Sequence, residues 1–281
     1  MSVATNVAVK EAIDLLCNEY DESNPKLPTA AVVVAHHDDE VAGMGAQFLK
    51  FGEVYFIHVT DGAARDMADA AKHGFDCRAA YASARQKEFA SALQIANIDQ
   101  NRIIDVGIAD KEASLNMPHI CRELVEILMY IGPQIVFTHP YEGGHPDHDA
   151  TVLALKAALR QIAKNDLNEI AVFEFTSYFD DNGSMSAGKF LPGSDGGRLA
   201  AFTPQQLELK VRMMECFNTQ KDVLKYFPIQ IERFRNGPAY NFAKSAGPRA
   251  YYDQFDWGIK SGQWQELAGK AIEELGIEGL L

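Results

Sequence analysis

At 281 residues with 47% hydrophobic content, the chain can bury a full core as one large domain or one domain with an appendage. A formal net charge of −13 argues against a general nucleic-acid surface, which needs basic patches to neutralise phosphate. The four cysteines, Cys17, Cys77, Cys121 and Cys216, form no CxxC pair, so they predict neither a zinc–thiolate site nor a disulfide framework. They read as reduced thiols of a cytoplasmic protein. No basic n-region with an apolar h-region opens the sequence, and no run approaches the ~20 apolar residues of a membrane span, so neither export nor membrane insertion is expected.

In chain order, Val7 to Tyr20 places Val9, Ala12, Ile13, Leu16 and Tyr20 on one helical face, and Asp21 to Pro28 reads as a short linker. The run Ala31-Val32-Val33-Val34-Ala35 predicts a strand buried on both faces. It ends abruptly in His36-His37-Asp38-Asp39-Glu40. Val41 to Lys50 has helical spacing closed by Gly52, and Val54 to Thr60 predicts a second strand ending at Thr60-Asp61-Gly62. Arg78 to Ala96 predicts a helix, Ile103 to Val106 a short strand, Pro118 to Tyr130 a helix, and Gln134 to Thr138 a strand. This alternation predicts an α/β fold, a mostly parallel sheet with helices on both faces.

The strand to Thr138 leads into His139-Pro140-Tyr141-Glu142-Gly143-Gly144-His145-Pro146-Asp147-His148-Asp149. Pro146 suits the first turn of a helix running through Leu159, since its missing N–H would be an orphan there. His145 and His148 are then one turn apart and face one point. Ligands of open α/β sheets sit beyond the strand ends, so the two clusters can converge on one ion. A carboxylate–imidazole cluster beside a buried strand is costly unless a cation or a reaction uses it.

The AHHDDE run after the first strand and HPDH after a later one resemble the PIG-L/LmbE family of zinc-dependent de-N-acetylases, over roughly residues 30 to 180. The resemblance implies a Rossmann-like fold and removal of acetyl from an N-acetylglucosamine-type amino sugar or its conjugate. By position it implies one zinc per chain, or another divalent ion, held by His36, Asp39 and His148. Asp38 would be the general base, and His145 would stabilise the oxyanion or protonate the leaving amine. Arg85 matches a helix arginine that contacts substrate. Two departures stand out: His37 occupies the usual proline position, and Asp61-Gly62-Ala63-Ala64-Arg65 lacks the glutamate common there.

The chemistry agrees with the resemblance. Two neutral imidazoles and a carboxylate leave a zinc coordination position open, where a bound water can ionise near neutral pH. An amide also needs a base for the water and a proton donor for its nitrogen. Any single His or Asp here is more often a cap or a solvated loop residue; the two motifs together reverse that preference. His37 and His139 read equally as structural, while His58, His73 and His119 read as ordinary residues. Gly43-Met44-Gly45 is only a fragment of GxGxxG, so a dinucleotide site is not expected. Two rival functions are a two-metal phosphoesterase and a non-catalytic carbohydrate-binding protein.

Beyond residue 180 the sequence carries loop chemistry, a helix from Pro204 to Thr219 with Thr203 as N-cap, and a terminal helix from Leu267 to Leu280. Arg233, Arg235, Tyr240 and Tyr251 lie in an aromatic-rich stretch and are assigned no role. The expected organisation is a single domain: an N-terminal helix and linker over 1–28, a Rossmann-like catalytic core over 29–180, and a C-terminal portion over 181–281 flanking the site. The expected partner is a small amino-sugar substrate, with no nucleic acid and no membrane.

Overall fold

The computed structural model describes residues 11–164 and 170–280. Helix α1 covers 11–17, so the start of the predicted N-terminal helix, 7–10, lies outside the described residues. The elements that follow are β1 (Ala30–Val34), α2 (Asp39–Met44) running into a 3-10 turn (Gly45–Lys50), β2 (Val54–Ala64), α3 (Ala68–Lys72), α4 (Arg78–Ile95) and β3 (Ile103–Asp110). Next come α5 (Met117–Ile131), β4 (Ile135–Thr138), α6 (Pro146–Lys164), β5 (Ala171–Phe175), the hairpin β6 (Tyr178–Asp181) and β7 (Ser184–Ala187), and β8 (Arg198–Leu199). Helices α7 (Pro204–Met214) and α8 (Lys221–Leu224), strand β9 (Arg233–Asn236) and helix α9 (Ser261–Leu275) complete the chain.

The predicted mostly parallel sheet is present. Its strand order is β3-β2-β1-β4-β5-β9-β8, the first five parallel and the last two antiparallel. Alternate residues of β1 feed opposite cores: Val32 and Val34 join a cluster with α1, α2, α4 and α7, whereas Ala31 and Val33 join one with α5, α6 and α9. Burial on both faces explains the unbroken apolar run. The chain leaves β1 toward β2 on one side and reaches β4 on the other, so the topological switch lies between β1 and β4, where open α/β sheets form their ligand crevice.

Several boundaries differ from the predicted ones, for physical reasons. Both β2 and β3 run further than expected, to Ala64 and Asp110, because Thr60 pairs with Ile108 and Ala64 with Asp110 across register shifts that an uninterrupted apolar pattern does not reveal. Helix α7 stops at Met214 and α9 begins at Ser261, ending where Gly276 adopts the left-handed conformation. Thr203 caps α7 as expected, in a reciprocal capping box with Gln206. Strands β5, β8 and β9 and the β6–β7 hairpin, whose residues 180–184 read as loop in the sequence, lie where no strand is predicted. Gly43 and Gly45 serve packing: a Cβ at Gly43 would lie 2.2 Å from the ring of Phe175.

Two buried ionic groups join the later elements to the sheet. Lys210 of α7 pairs with Glu232 at 2.9 Å and donates to the Ala42 carbonyl at 2.8 Å, while Glu232 accepts from the Ala46 N–H. Arg235 of β9 donates through Nε to Glu174 of β5 at 2.8 Å, lies 3.9 Å above the Phe190 ring, and has Nη2 3.7 Å from Glu142 Oε1. Glu142 also accepts from the Leu191 N–H at 2.7 Å, but its Oε2 is buried with no partner among the described residues.

Burial outweighs the Leu191 hydrogen bond and Arg235 and pushes the Glu142 carboxyl up to about 8. Because that lies above its unfolded value, the folded state binds the extra proton between pH 4.5 and 8, and this group lowers stability as pH rises through that window. Glu142→Gln cannot ionise and can keep the Leu191 hydrogen bond. Thermal melts of the two proteins should therefore coincide near pH 5, with the variant melting higher at pH 8 to 9. A constant difference across the range would refute this account.

Candidate metal centre and cleft

Four strand ends deliver the site. His36 to Asp39 follow β1, Asp110 ends β3, His139 to His148 follow β4, and Ser177 and Tyr178 follow β5. The Pro146 start of α6 is held by α9, whose Trp264 donates to the Pro146 carbonyl at 3.0 Å. Gly144 lets the turn before it press against the hairpin; an added Cβ would lie 2.1 Å from the Tyr178 carbonyl oxygen.

His36, Asp39 and His148 are brought together. His36 Nδ1 lies 3.2 Å from His148 Nε2 and 3.4 Å from Asp39 Oδ2, and His148 Nε2 lies 3.2 Å from Asp39 Oδ1. A tetrahedral ion with bonds of ~2.0 to 2.1 Å separates its donors by roughly 3.3 to 3.4 Å, so these edges match what such an ion requires. The opposite nitrogens have their own partners: His36 Nε2 is 3.0 Å from Asp110 Oδ1, and His148 Nδ1 is 3.2 Å from Ser177 Oγ. Protons on those two nitrogens leave two lone pairs and a carboxylate facing one point, which suits a cation and little else.

Charge leads to the same place. Asp38, Asp39, Asp110 and Asp147 are clustered here with the Arg85 guanidinium, and all are close to fully buried, the Asp39 side chain being 9% exposed. Burial opposes a charge on His36, yet Asp110, Asp147 and Asp39 raise it well above the usual histidine range. A divalent cation balances the same carboxylates with His36 neutral. Asp147 itself is committed to the backbone, accepting from the Lys111 N–H at 2.6 Å and the Ala113 N–H at 3.0 Å. Asp110 engages His36 through Oδ1.

Asp38 and His145 flank the three donors. Asp38 Oδ1 pairs with Arg85 Nη2 at 3.2 Å; burial raises the Asp38 carboxyl, with Arg85 acting against that. Arg85, on α4, also donates to the Gly62 carbonyl at 3.1 Å, and its Nε–H is buried with no partner among the described residues. His145 Nδ1 accepts from the Asp147 N–H at 3.2 Å, which assigns its proton to Nε2. Burial, reinforced by His36, lowers the His145 pKa well below the ordinary value, so the ring is neutral.

The remaining histidines divide by position. His139 Nε2 accepts from the Ala35 N–H at 3.1 Å and its ring stacks on His148 at 4.3 Å, joining the ends of β1 and β4 behind the site. His37 turns away, stacking on His58 at 4.0 Å with Nε2 2.8 Å from Asp105. His58, expected to be ordinary, is fully buried with Nε2 2.7 Å from Glu40; burial opposes its charge, but Glu40 and Asp105 raise it to about 9. His58 Nδ1 lies 3.5 Å from the same Asp105 oxygen that His37 Nε2 engages, so the two stacked rings share that carboxylate. His119 is exposed beside Glu123, and His73 borders the cleft.

A cleft of about 320 Å³ opens over the donors, bordered by residues from the α3 and α8 regions and by Tyr178, Tyr251, Phe255 and Trp257. Sequence reading missed Asp110, Asp147 and Trp257. Asp147 was legible, lying between two histidines already singled out; Asp110 was hidden by ending β3 too early, and Trp257 lies in irregular chain. Arg235 and Tyr240 belong to the buried Glu174 cluster, whereas Tyr251 reaches the cleft.

Residues 31–159 match the family model PIG-L, described as GlcNAc-PI de-N-acetylase. No curated protein matches the chain. Among solved structures, the zinc-inhibited form of teicoplanin deacetylase Orf2 is 20% identical over 68% of this chain and 85% of that one, with a TM-score of 0.52. An A40926 pseudoaglycone deacetylase is 20% identical over 70% and 84%, with a TM-score of 0.53. The N,N'-diacetylchitobiose deacetylase of Pyrococcus horikoshii is 19% identical over 84% and 92%, with a TM-score of 0.50. At such identities these structures speak for the fold, and the sequence match speaks for the family. Residues 31–159, the segment that carries β1, β4 and both histidine motifs, are thus similar to the PIG-L family.

Proposed function

We propose that this protein is a zinc-dependent hydrolase that removes the N-acetyl group from an N-acetylglucosamine-type amino sugar or its conjugate. The observation that carries this reading is the convergence of His36, Asp39 and His148 on one point, with Asp38 and His145 beside it. The deacetylases that share the fold support it. His36, Asp39 and His148 would hold the ion, which when bound supplies a Lewis acid and makes water ionisable near neutral pH.

The chain's own groups then divide the proton handling. Asp38, its proton affinity raised by burial, takes a proton from the attacking water and is oriented by Arg85. His145, neutral with its hydrogen on Nε2, donates to the acyl oxygen as negative charge develops there. That assignment favours oxyanion stabilisation over protonation of the amine by His145. The proton on Asp38 is then delivered to the departing nitrogen as the C–N bond breaks, giving acetate and the free amine. Arg85 remains the proposed substrate contact on the α4 side, where it borders the cleft.

Three outcomes follow. Amine release from N-acetylglucosamine conjugates should disappear on prolonged chelation and return with zinc; undiminished turnover by protein shown metal-free by elemental analysis, or phosphate release from phosphomonoesters in its place, would overturn the reading. Asp38→Asn should lower kcat by about 10²-fold or more, and His145→Ala by about 10²- to 10³-fold, both with zinc still bound. Near-normal turnover in either variant removes that residue from the chemistry. Asp110→Asn should weaken zinc binding by about 10- to 100-fold, because it frees the His36 ring to rotate and lowers its basicity; unchanged affinity by competition titration would exclude that role.

A further inference from the structure

A continuous aromatic wall leads outward from the metal centre. The His145 ring lies 4.8 Å from Trp257, Trp257 stacks on Phe255 at 4.6 Å and 14°, and Phe255 lies 5.0 Å from Tyr251. Tyr251 lies 5.9 Å from Tyr178, which in turn lies 5.4 Å from His148. Tyr251, Phe255 and Trp257 are only half-buried and border the cleft, Tyr251 also packing against the core. The rim continues the apolar character, with Val223 43% and Tyr226 60% exposed.

Charge on the facing wall is already balanced. Of the lysine and arginine side chains bordering the cleft, Lys72 pairs with Asp222 at 2.6 Å, Lys111 with Asp66 at 3.1 Å, and Arg85 with Asp38 at 3.2 Å. Asp69 and Asp222 border the cleft as well. An anionic substituent entering here would have to displace a carboxylate from its cation, and would meet negative potential from the rest. A flat, uncharged one avoids that cost and can pack against the half-buried rings, with which aromatic contact is favourable. The cavity volume, about 320 Å³, is at the small end of the ~300 to 1,000 Å³ typical of small-molecule sites, which suits one sugar and a compact substituent.

We infer that the Trp257–Phe255–Tyr251 wall is a subsite for an uncharged aromatic substituent carried by the amino sugar, and that the cleft selects against anionic conjugates. The inference rests on the deacetylase reading for the identity of the sugar, and its test separates the two. Phenyl and methyl glycosides of N-acetylglucosamine, both anomers of each, and N-acetylglucosamine 1-phosphate are compared by calorimetric titration of the zinc-loaded protein and by amine release. One phenyl anomer should bind at least tenfold more tightly than its methyl counterpart, and the phosphate more weakly than either. Phe255→Leu, which keeps apolar volume but removes the ring, should close most of the phenyl-to-methyl gap, and Trp257→Phe should retain part of it. Equal binding of phenyl and methyl glycosides, or tighter binding of the phosphate, overturns the subsite. Amine release without phenyl preference leaves the deacetylase reading standing and the subsite refuted; phenyl preference without amine release does the reverse. Failure of every glycoside to bind refutes both.

Discussion

The structure depends on a confined excess of negative charge at the β1/β4 switch point. Asp38, Asp39, Asp110 and Asp147 arrive there on the ends of three strands with one guanidinium among them, in surroundings from which water is largely excluded. Charges of one sign are not assembled in a protein interior without compensation, because desolvation and mutual repulsion both oppose it. The compensation takes two forms. Asp147 spends both oxygens on backbone N–H groups and Asp38 pairs with Arg85, whereas Asp39 and Asp110 engage imidazoles whose remaining lone pairs converge. The last arrangement is compatible with a cation at the point where those lone pairs meet.

Histidine tautomers make this arrangement specific. Every imidazole around the site has one nitrogen fixed by a neighbour: His36 by Asp110, His148 by Ser177, His145 by the Asp147 N–H, and His139 by the Ala35 N–H. For His36 and His148 the partner leaves a lone pair facing the ion position, and for His145 it leaves an N–H. Under the proposed function the same residue type would therefore serve as ligand in two places and as hydrogen-bond donor in another. His37 and His58 belong to a different network: they stack on each other between Asp105 and Glu40, on the side of β2 where Phe89 packs. Placing His37 at the usual proline position thus adds a packed polar group behind the site and leaves the ligand geometry untouched.

The parts of this design that a sequence can disclose are those written in contiguous residues. The Ala31–Ala35 run, the charges that follow it, and Pro146 between two histidines specified a central strand, its functional end and the helix that follows β4. Those local patterns hold because β1 is buried on both faces and α6 begins where proline is tolerated. What escaped depends on pairing between distant segments. Strand β3 continues through Asp110 only because β2 continues beside it through register shifts, and β9 becomes a strand because Arg235 finds Glu174 across the sheet edge. Neither pairing leaves a period in the sequence. His58 escaped for a related reason, since its partners Glu40 and Asp105 lie on other elements.

Chemistry and selectivity consequently sit on parts of the molecule held in different ways. The donors and proton-handling groups lie on strand ends and on the first turns of α2 and α6, where helix dipoles and ladder hydrogen bonds limit their movement. The aromatic wall and the apolar rim lie on the hairpin, on the α8 region and on irregular chain between β9 and α9, fixed mainly by ring-to-ring packing and by a few polar ties such as the Tyr251 N–H to the Gly143 carbonyl at 2.7 Å. That tie joins the wall to the glycine turn that presents His145. The outer segments can therefore vary to suit a substituent while the donors stay in register, but a change large enough to shift Tyr251 acts on the turn before His145 and reaches the reaction centre.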